Sequence, residues 1–353
     1  MNGFGILAVN PGSTTTKLAL YRDQYLEWDI VLEHGKEELA ALGPVRNQLK
    51  FRLEAAIGVL PPGLNTIHAV VGRGGLLRPL EGGVYAINES MLQDLAGDKY
   101  GEHPSNLGAS MAVHMAKPFQ ARTYVVDPVV TDEMADHARL TGLPGVNRRS
   151  VFHALSQRGA AREAAESLDL DYITANILVL HLGGGISIGA HRMGKVVDVI
   201  NGLDGEGPMS PERTGSLPVL PMLEYYRENG SDYEAMRRKV LREGGLWAHL
   251  GTNDLREAEK MAGQGNEQAG LVLDAMAYQI AKSSCSLLPA LSSRVDAVVI
   301  TGGMAHSEQM VDMLTAWLGP LAPVLAITGV EEMAAMAQGA LRVLRGEEEV
   351  RVY

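Results

Sequence analysis

The chain has little cysteine, few aromatic residues and no long apolar run. One cysteine, Cys285, among 353 residues excludes an intramolecular disulfide. It lies in an apolar pattern at residues 280–291 that predicts a helix, so we interpret it as a small buried hydrophobe. No stretch approaches the roughly 18 apolar residues of a membrane span. The short apolar segment at 4–9 has no basic residues before it and predicts no secretory signal, so a cytoplasmic location is expected.

Positive charge is also scarce. The net charge is -11, the pI is about 5.4, and no run of Lys and Arg provides an electrostatic footprint for nucleic acid. No nucleic-acid or membrane partner is therefore expected. An acidic protein that binds phosphates must do so with local backbone N–H groups, a few cations and a metal ion, because its overall field opposes binding.

The length exceeds the size at which one hydrophobic core stops growing, so two domains are predicted. Each half opens with three strand patterns and then alternates helix and strand, which favours two α/β domains on mixed sheets. We predict a first domain at 1–155 together with 330–353, and a second domain at 156–329. Apolar patterns predict strands at 5–10, 17–22, 25–31, 67–71, 123–126, 176–182, 187–192, 195–200, 295–301 and 323–327. They predict helices at 37–58, 88–96, 106–116, 150–168, 218–227, 232–242, 267–288, 307–318 and 331–344.

The same strand–loop–strand sequence pattern occurs near the start of each half. An apolar strand at 6–10 leads through the loop 11–16 into a second strand, and another at 177–181 leads through 182–185. Glycine and short hydroxyl residues in such loops point several backbone N–H groups at one spot, which makes an anion site. Two ordinary hairpins are the alternative. Two such loops at equivalent places predict one polyphosphate, or two phosphate-bearing groups, held across a cleft.

Several motifs resemble the acetate and butyrate kinase family, which belongs with sugar kinases, Hsp70 and actin in the ASKHA superfamily. The matching segments are Asn10-Pro11-Gly12-Ser13-Thr14-Thr15-Thr16-Lys17, Arg148-Arg149-Ser150-Val151-Phe152-His153, His181-Leu182-Gly183-Gly184-Gly185-Ile186-Ser187 and Thr301-Gly302-Gly303-Met304. Residues 202–208 and 210–215 resemble the butyrate kinase branch more closely. The resemblance implies an α/β fold of two duplicated ribonuclease H-like domains, of the actin, Hsp70 and sugar kinase type, around a cleft.

The resemblance also implies an activity: reversible phosphoryl transfer from ATP to a short-chain linear or branched carboxylate, giving an acyl phosphate. ATP or ADP and Mg²⁺ are the implied cofactors, and a homodimer or higher homo-oligomer is the implied assembly. The preferred acyl chain stays open. Another kinase of the superfamily, or an ATP-dependent binding protein, is the alternative function.

In the first loop, the resemblance assigns Asn10, Ser13, Thr15 and Lys17 to the transferred phosphate, with Asn10 also near the metal. Short hydroxyl groups suit phosphate oxygens and the water ligands of Mg²⁺. The loop is not a Walker A motif, because Thr16 stands where that motif has glycine.

Four residues match the family's catalytic positions: Arg73, Asp127, His153 and Arg213. The two arginines resemble those that hold the carboxylate and the moving phosphoryl group, a task that suits the bidentate guanidinium. Asp127 resembles an acid that lies near the metal or orients the arginines, although Asp-Pro also initiates Asx turns. His153 matches a donor to the transition-state phosphoryl group. A solvated loop arginine and a core histidine are the ordinary alternatives.

For the nucleotide, the resemblance assigns phosphate contacts to the second glycine loop, adenosine contacts to a loop near the last strands, and an acid and base pair beside them. The residues are His181, Gly183, Gly184, Gly185, Gly302, Gly303, Asp254 and Arg256. Glu332 is the expected metal-side carboxylate, with Glu331 left open and a helix-dipole role as the alternative. The three glycines differ from acetate kinases, which have Asn in this loop. Phe152, Leu107 and Pro208 are the expected apolar walls of the acyl pocket.

Overall fold

The computed structural model describes residues 3–64, 66–230, 232–329 and 332–353. The chain forms two compact units, one of Met1–Asp132 with Glu331–Tyr353 and one of Glu133–Val330. Residues 133–155, which the sequence analysis placed in the first domain, therefore belong to the second unit. Two contacts account for the difference: the backbone N–H of Ala135 donates to the Val197 carbonyl, and Phe152 packs with Val196 and Val199.

The strands of the described residues, numbered in chain order, are β1 Gly5–Pro11, β2 Thr15–Arg22, β3 Tyr25–Glu33, β4 Ala69–Gly72, β5 Val84–Ala86, β6 Arg122–Val126, β7 Asn176–Leu182, β8 Ile186–Arg192, β9 Lys195–Ile200, β10 Ala297–Thr301, β11 Val324–Ile327 and β12 Arg351–Val352. The α-helices are α1 Lys36–Ala41, α2 Leu49–Gly58, α3 Glu89–Ala96, α4 Leu107–Ala116, α5 Asp136–Arg139, α6 Ala154–Ser167, α7 Val219–Glu228, α8 Tyr233–Arg242, α9 Gly245–Leu250, α10 Leu255–Gly263, α11 Glu267–Ser286, α12 Glu308–Leu318 and α13 Glu332–Arg345.

The first unit is built on a seven-stranded sheet, as far as the described residues show, in the order β12-β5-β6-β4-β1-β2-β3. The strands β1, β4 and β6 are parallel, while β1, β2 and β3 form an antiparallel meander. Alternate residues of β1 face opposite sides, as the twofold strand period requires. Leu7 and Val9 pack in a core with α4, while α13 covers the sheet from the returning end of the chain.

The second unit repeats this plan on a five-stranded sheet, counted over the described residues, in the order β11-β10-β7-β8-β9. An antiparallel meander of β7, β8 and β9 joins the parallel strands β10 and β11. Every apolar residue of β7 is buried because the sheet has helices on both faces. Leu178 and Leu180 pack toward α11, whereas Ile177 and Val179 pack toward α6.

The α/β class and the three-strand opening of each half are confirmed. The single helix expected at 37–58 is wrong: Gly43, at φ +74°, and Pro44 separate α1 from α2, because a left-handed residue and a missing N–H end a helix. The apolar patterns of the sequence did not predict β5, β12, α5, α9 or α10. No helix in the described part of the chain has the length and apolar character needed to span a lipid bilayer.

Candidate active site

A cavity of about 360 Å³ lies in the first unit at the carboxyl ends of parallel strands β1 and β4. Ligands of open α/β sheets bind outside such strand ends. Its described lining includes five residues that the sequence assigned to the site, together with the carboxylate of the last helix: Asn10, Ser13, Thr15, Lys17, Arg73 and Glu332. The structure therefore brings the first predicted loop, one predicted arginine and the predicted metal-side acid to one place.

Glu332 links the first loop to Arg73. Its Oε2 accepts a hydrogen bond from Asn10 Nδ2 at 2.8 Å, and its Oε1 accepts from Arg73 Nη2 at 3.1 Å. The Arg73 side chain is only 13% exposed, yet its Nη1 group is buried without a hydrogen-bond partner among the described residues. A buried guanidinium N–H without an acceptor is costly, so this atom is suited to an oxyanion ligand.

Two glycines allow Arg73 to lie this close to the helix that follows. The Cα of Gly72 faces Gly108, where an added Cβ would come within 2.2 Å of a backbone oxygen. An added Cβ at Gly75 would come within 2.3 Å of Asn106 Oδ1. The bare backbone at both positions lets β4 and the Arg73 turn pack directly on α4.

Arg52, which the sequence patterns did not predict as a site residue, contacts the backbone of the loop at 11–16. Arg52 lies on α2, is fully buried, and donates from Nη1 to the Thr15 carbonyl at 2.7 Å and from Nη2 to the Ser13 carbonyl at 3.0 Å. Gln48 Oε1 accepts from the same guanidinium at 3.0 Å. Burial lowers the pKa of Arg52 from its ordinary value. Its guanidinium therefore sets the position of the loop whose backbone would bind phosphate.

A signal for Arg52 is present in the sequence. Leu49, Leu53 and Ala56 form the inward face of α2, and Arg52 occupies the same face by helical spacing. A single arginine on an otherwise apolar helix face indicates a buried cation with polar partners.

His103 is a second residue of this cavity that was not predicted. Its Nδ1 accepts from the Ser105 backbone N–H at 3.2 Å. Through this hydrogen bond the His103 side chain caps the N-terminus of the short helical turn at 104–106. Desolvation in the pocket, together with the Arg73 cation, lowers the pKa of His103. A neutral ring with Nδ1 as acceptor carries its proton on Nε2, so His103 can donate to an anion in the cavity.

Asp127 directly follows β6 in a left-handed conformation, at φ 39°, and is 3% exposed. Its Oδ1 accepts the backbone N–H of Gly83 at 2.7 Å, and its own N–H donates to the Gly83 carbonyl. These contacts fix the turn before β5. The roles of Asp127 toward a metal or the arginines stay predictions.

In the second unit, the glycine loop packs against Arg213. An added Cβ at Gly185 would lie 2.2 Å from Arg213 Nη1, so only glycine leaves room for the guanidinium. Arg213 Nη1 donates to the Gly202 carbonyl at 2.9 Å, and Nε is buried without a partner among the described residues. Ser210 joins both segments, because its Oγ donates to the Gly184 carbonyl at 2.6 Å and accepts from the Arg213 N–H.

Burial lowers the pKa of Arg213 from its ordinary value, although the neighbouring Glu212 carboxylate acts in the opposite direction. A guanidinium remains charged after such a shift. The structure thus holds a partly desolvated cation against the predicted nucleotide-phosphate loop.

His153 and His181 stack face to face, with ring centroids 3.8 Å apart and planes 13° from parallel. Burial, and secondarily the neighbouring His153, lowers the pKa of His181 to about 3. His181 is therefore neutral at physiological pH. Both predicted histidines lie beside the second glycine loop, because His181 is the penultimate residue of β7 and His153 Nδ1 contacts Ser187 near the start of β8.

The low pKa of His181 predicts an acid-sensitive stability. Below about pH 6.5, the unfolded chain binds a proton at this residue that the folded chain refuses, so stability present above that pH falls toward pH 3. The slope from one such group is about 1.4 kcal/mol per pH unit. We expect His181→Phe, which keeps an aromatic ring in the stack, to show a shallower decline of urea-derived unfolding free energy between about pH 6.5 and pH 5.

His191 is the internal reference for that measurement. Burial, followed by Arg158 and Arg162, lowers its pKa well below the ordinary value, so its contribution to the slope remains in the variant. An identical slope in wild type and His181→Phe would contradict the assignment.

A second cavity, of about 870 Å³, lies in the second unit. It is lined by residues of both predicted nucleotide segments, including Gly183, Gly184, Gly303, Asp254 and Arg256. Asp254 caps α10 by accepting the Arg256 N–H and pairs with the Arg256 guanidinium at 2.7 Å. Gly302, at φ +90°, lies beside the Leu182 backbone, where a Cβ would come within 2.5 Å of the carbonyl oxygen. The backbone of the β10 loop therefore packs directly on the glycine loop.

Among the described residues, no three His, Cys, Asp or Glu side chains cluster as a complete metal site. Mg²⁺ in phosphoryl-transfer sites needs only one or two protein ligands, since water and phosphate oxygens supply the rest. Asn10 and Glu332 fit this requirement, because Asn10 uses Nδ2 for Glu332 and can offer Oδ1 to a metal-bound water. Glu331, the alternative, lies outside the described residues.

The apolar atoms of the first cavity come from Pro11, Leu76 and Val129. Leu107, expected as an acyl wall, is 5% exposed and packs in the hydrophobic core with α2 and α4. Phe152 and Pro208 are also buried, and both belong to the second unit. Leu76 and Val129 are apolar residues that line the cavity containing Arg73.

Comparisons with known proteins show the family of the chain. The sequence profile of the Acetokinase family matches residues 110–321. This chain is 46% identical over 359 residues to a protein named "Probable butyrate kinase" from Maridesulfovibrio salexigens, with 99% of each chain covered. The chain belongs to the acetokinase family. A protein of the same name from Coprothermobacter proteolyticus is 46% identical over 355 residues, covering 99% of this chain and 100% of the relative.

The acetokinase fold is also evident in a solved structure. The crystal structure of acetate kinase from Porphyromonas gingivalis is similar with a TM-score of 0.78 at 22% identity, covering 97% of this chain and 100% of that chain. The predicted ASKHA fold, with one antiparallel strand meander in each half, is confirmed.

Proposed function

We propose that the protein catalyses reversible, Mg²⁺-dependent phosphoryl transfer between ATP and a short-chain linear or branched carboxylate, with an acyl phosphate as product. Membership of the acetokinase family makes it a phosphotransferase whose acceptor is a carboxyl group. The names of the two relatives favour butyrate among these acids. A homo-oligomer stays a prediction.

The observation that carries the proposal is the state of Arg73. This buried cation gives one nitrogen to Glu332 and keeps Nη1 without an acceptor, in a cavity that also holds the Ser13 and Thr15 hydroxyl groups. A carboxylate or acyl phosphate would supply the missing oxygen. A neutral sugar hydroxyl would not need a desolvated guanidinium. The buried Arg73 cation therefore disfavours the sugar kinase alternative.

The residues divide the chemistry between binding and charge neutralisation. Phosphoryl transfer spreads charge over the equatorial oxygens, so catalysis depends on positioned cations and N–H donors. Arg73 would orient the carboxylate, Arg213 would stabilise the moving phosphoryl group, and the glycine loop would bind the nucleotide phosphates through backbone N–H groups. Mg²⁺, where bound near Asn10 and Glu332, would neutralise charge on the phosphate oxygens.

The aliphatic part of the substrate meets a small apolar surface. Leu76 and Val129 line the cavity beside Arg73. Such a surface discriminates one methylene by only about 1–3 kcal/mol. We therefore expect graded activity across neighbouring chain lengths.

A substrate panel tests the proposed function. Acetate, propionate, butyrate, isobutyrate and isovalerate are each incubated with ATP and Mg²⁺, and hydroxylamine traps any acyl phosphate as a hydroxamate. We expect hydroxamate and ADP to form in equal amounts, with a maximum at one of the longer acids. The matched control is Arg73→Gln, which keeps a polar side chain but removes the cation. ATP hydrolysis that no carboxylate stimulates would overturn the proposal.

A further inference from the structure

A buried line of polar side chains runs between strand β8 and helix α6. Ser187, Gly189 and His191 alternate along β8 and therefore share one face of the sheet. Gln157 lies one helical turn after His153 and contacts that face. Ser187, Gln157 and His191 are 2%, 0% and 0% exposed. Buried polar groups of this kind must satisfy one another, so their hydrogen-bond directions can be derived.

The direction is set first at Gln157. Its Nε2 lies 3.1 Å from the Ser187 backbone carbonyl, an atom that can only accept, so the amide nitrogen must face β8. The same Nε2 donates to Ser187 Oγ at 2.9 Å. Gln157 Oε1 consequently faces His191 Nε2 at 3.3 Å, and this ring nitrogen must carry a proton.

The hydrogen bond between Tyr172 and His191 has the same donor-to-acceptor direction. His191 is neutral, because burial and the nearby Arg158 and Arg162 cations lower its pKa well below the ordinary value. With its proton on Nε2, His191 accepts at Nδ1, and Tyr172 OH lies 3.0 Å from that atom. Each group from Tyr172 to Ser187 therefore donates to the next one toward the site.

At the other end of the line, Ser187 determines which ring nitrogen of His153 carries the proton. Ser187 Oγ accepts from Gln157 Nε2 at 2.9 Å and from the His153 backbone N–H at 3.4 Å, which uses both of its lone pairs. Its own proton is therefore directed to His153 Nδ1 at 2.8 Å. An accepting Nδ1 requires the proton of a neutral imidazole to be on Nε2. An imidazolium would present a second N–H to Ser187 and oppose its hydroxyl. The stacked His181, neutral for the reason given above, adds no charge that would favour an imidazolium.

We propose that Tyr172, His191, Gln157 and Ser187 are positioning residues that hold His153 as the neutral Nε2–H tautomer. In this form His153 donates a hydrogen bond to the phosphoryl group and does not act as a general base. The inference rests on the proposed kinase function for the role of His153, but the tautomer itself does not depend on activity.

The glycine within the line supports this arrangement. A Cβ at Gly189 would lie 2.3 Å from Gln157 Oε1 and 3.1 Å from His191 Nε2. Because Gly189 has no side chain, the Gln157 amide and the His191 imidazole can approach each other above it.

Two measurements test the proposal. Long-range ¹H–¹⁵N correlation spectra of histidine-labelled protein, assigned with His153→Gln, report which ring nitrogen of His153 carries the proton. Steady-state kinetics then compare Ser187→Ala with Ser187→Thr, which retains the hydroxyl, and with the matched control Ser284→Ala, a buried serine that donates to Ile280 on α11.

We expect the wild-type proton on Nε2 and a mixture of tautomers in Ser187→Ala. The same variant should lose about 10- to 100-fold in kcat with little change in the KM of ATP, while Ser187→Thr recovers most of the rate. A wild-type proton on Nδ1, or a kcat in Ser187→Ala equal to that of Ser284→Ala, would overturn the proposal. Absence of any carboxylate-dependent activity in the wild type would reject the kinase function, whereas the spectrum would still decide the tautomer.

Discussion

Replacing Arg213 with alanine is expected to lower kcat about 1,000-fold. The side chain is a partly desolvated cation whose Nε has no partner among the described residues, and it packs against Gly185 of the predicted nucleotide loop. Charge that develops on the phosphoryl group would lose the stabilisation that the proposal assigns to this cation. The dissociation constant of ATP should change by less than about threefold, because the proposed function assigns the nucleotide phosphates to backbone N–H groups of the glycine loop.

Rapid-quench single-turnover rates and equilibrium ATP binding provide the two measurements. Arg213→Lys should recover only part of the rate, because an ammonium lacks the guanidinium fork that also reaches the Gly202 carbonyl. Arg294→Ala, at an arginine whose side chain is 79% exposed, is the control. Equal losses in ATP affinity and rate would place Arg213 in nucleotide binding instead of transition-state stabilisation.

Arg52→Met should reduce the free energy of unfolding by about 2–4 kcal/mol. Methionine occupies similar space, but it removes the guanidinium donors of the Ser13 carbonyl and the buried Gln48 amide oxygen. The Thr15 carbonyl loses one of two donors and keeps the Gly12 N–H. Removing a single partner from a buried polar group is costly, in contrast to replacing both partners with apolar atoms.

Urea unfolding curves of wild type, Arg52→Met and Lys50→Met measure this difference. Lys50 lies on the same helix with its side chain 86% exposed, so its variant should change stability by less than about 0.5 kcal/mol. The midpoint shift is interpretable where the m-value stays constant. A midpoint for Arg52→Met that equals that of Lys50→Met would refute the role of Arg52 beneath the loop.

The framework of the fold could be predicted because the first strand of each half contains a long apolar run. The segments at β1 and β7 have this pattern, and their glycine-containing loops mark the strand ends at which the cavities lie. Strand β5 has only three residues, too few for an alternating pattern to be recognised. The domain boundary was displaced because the contacts of Phe152 with β9 are long-range and leave no local signal.

The candidate site could be predicted only for residues within local motifs. Arg73, Arg213 and the glycine loops occur in recognisable contexts, and the structure places each of them at a cavity or a glycine loop. Arg52, Gln157 and His191 act through contacts with residues distant in the chain. Arg52 has one local signal, its place on the apolar face of α2, whereas sequence patterns alone do not distinguish Gln157 and His191 from exposed polar residues.

The return of the chain to the first sheet has a consequence for biosynthesis. Helix α13 packs on β1, β12 pairs with β5, and Glu332 holds both Asn10 and Arg73. Ribosomes release the chain from its N-terminus, so the earliest residues of the first unit must wait for residues 332–353 before their sheet and its anion pocket are complete. The second unit is continuous in sequence and can finish folding earlier. A nascent chain therefore exposes an incomplete cavity until residues 332–353 have left the ribosome.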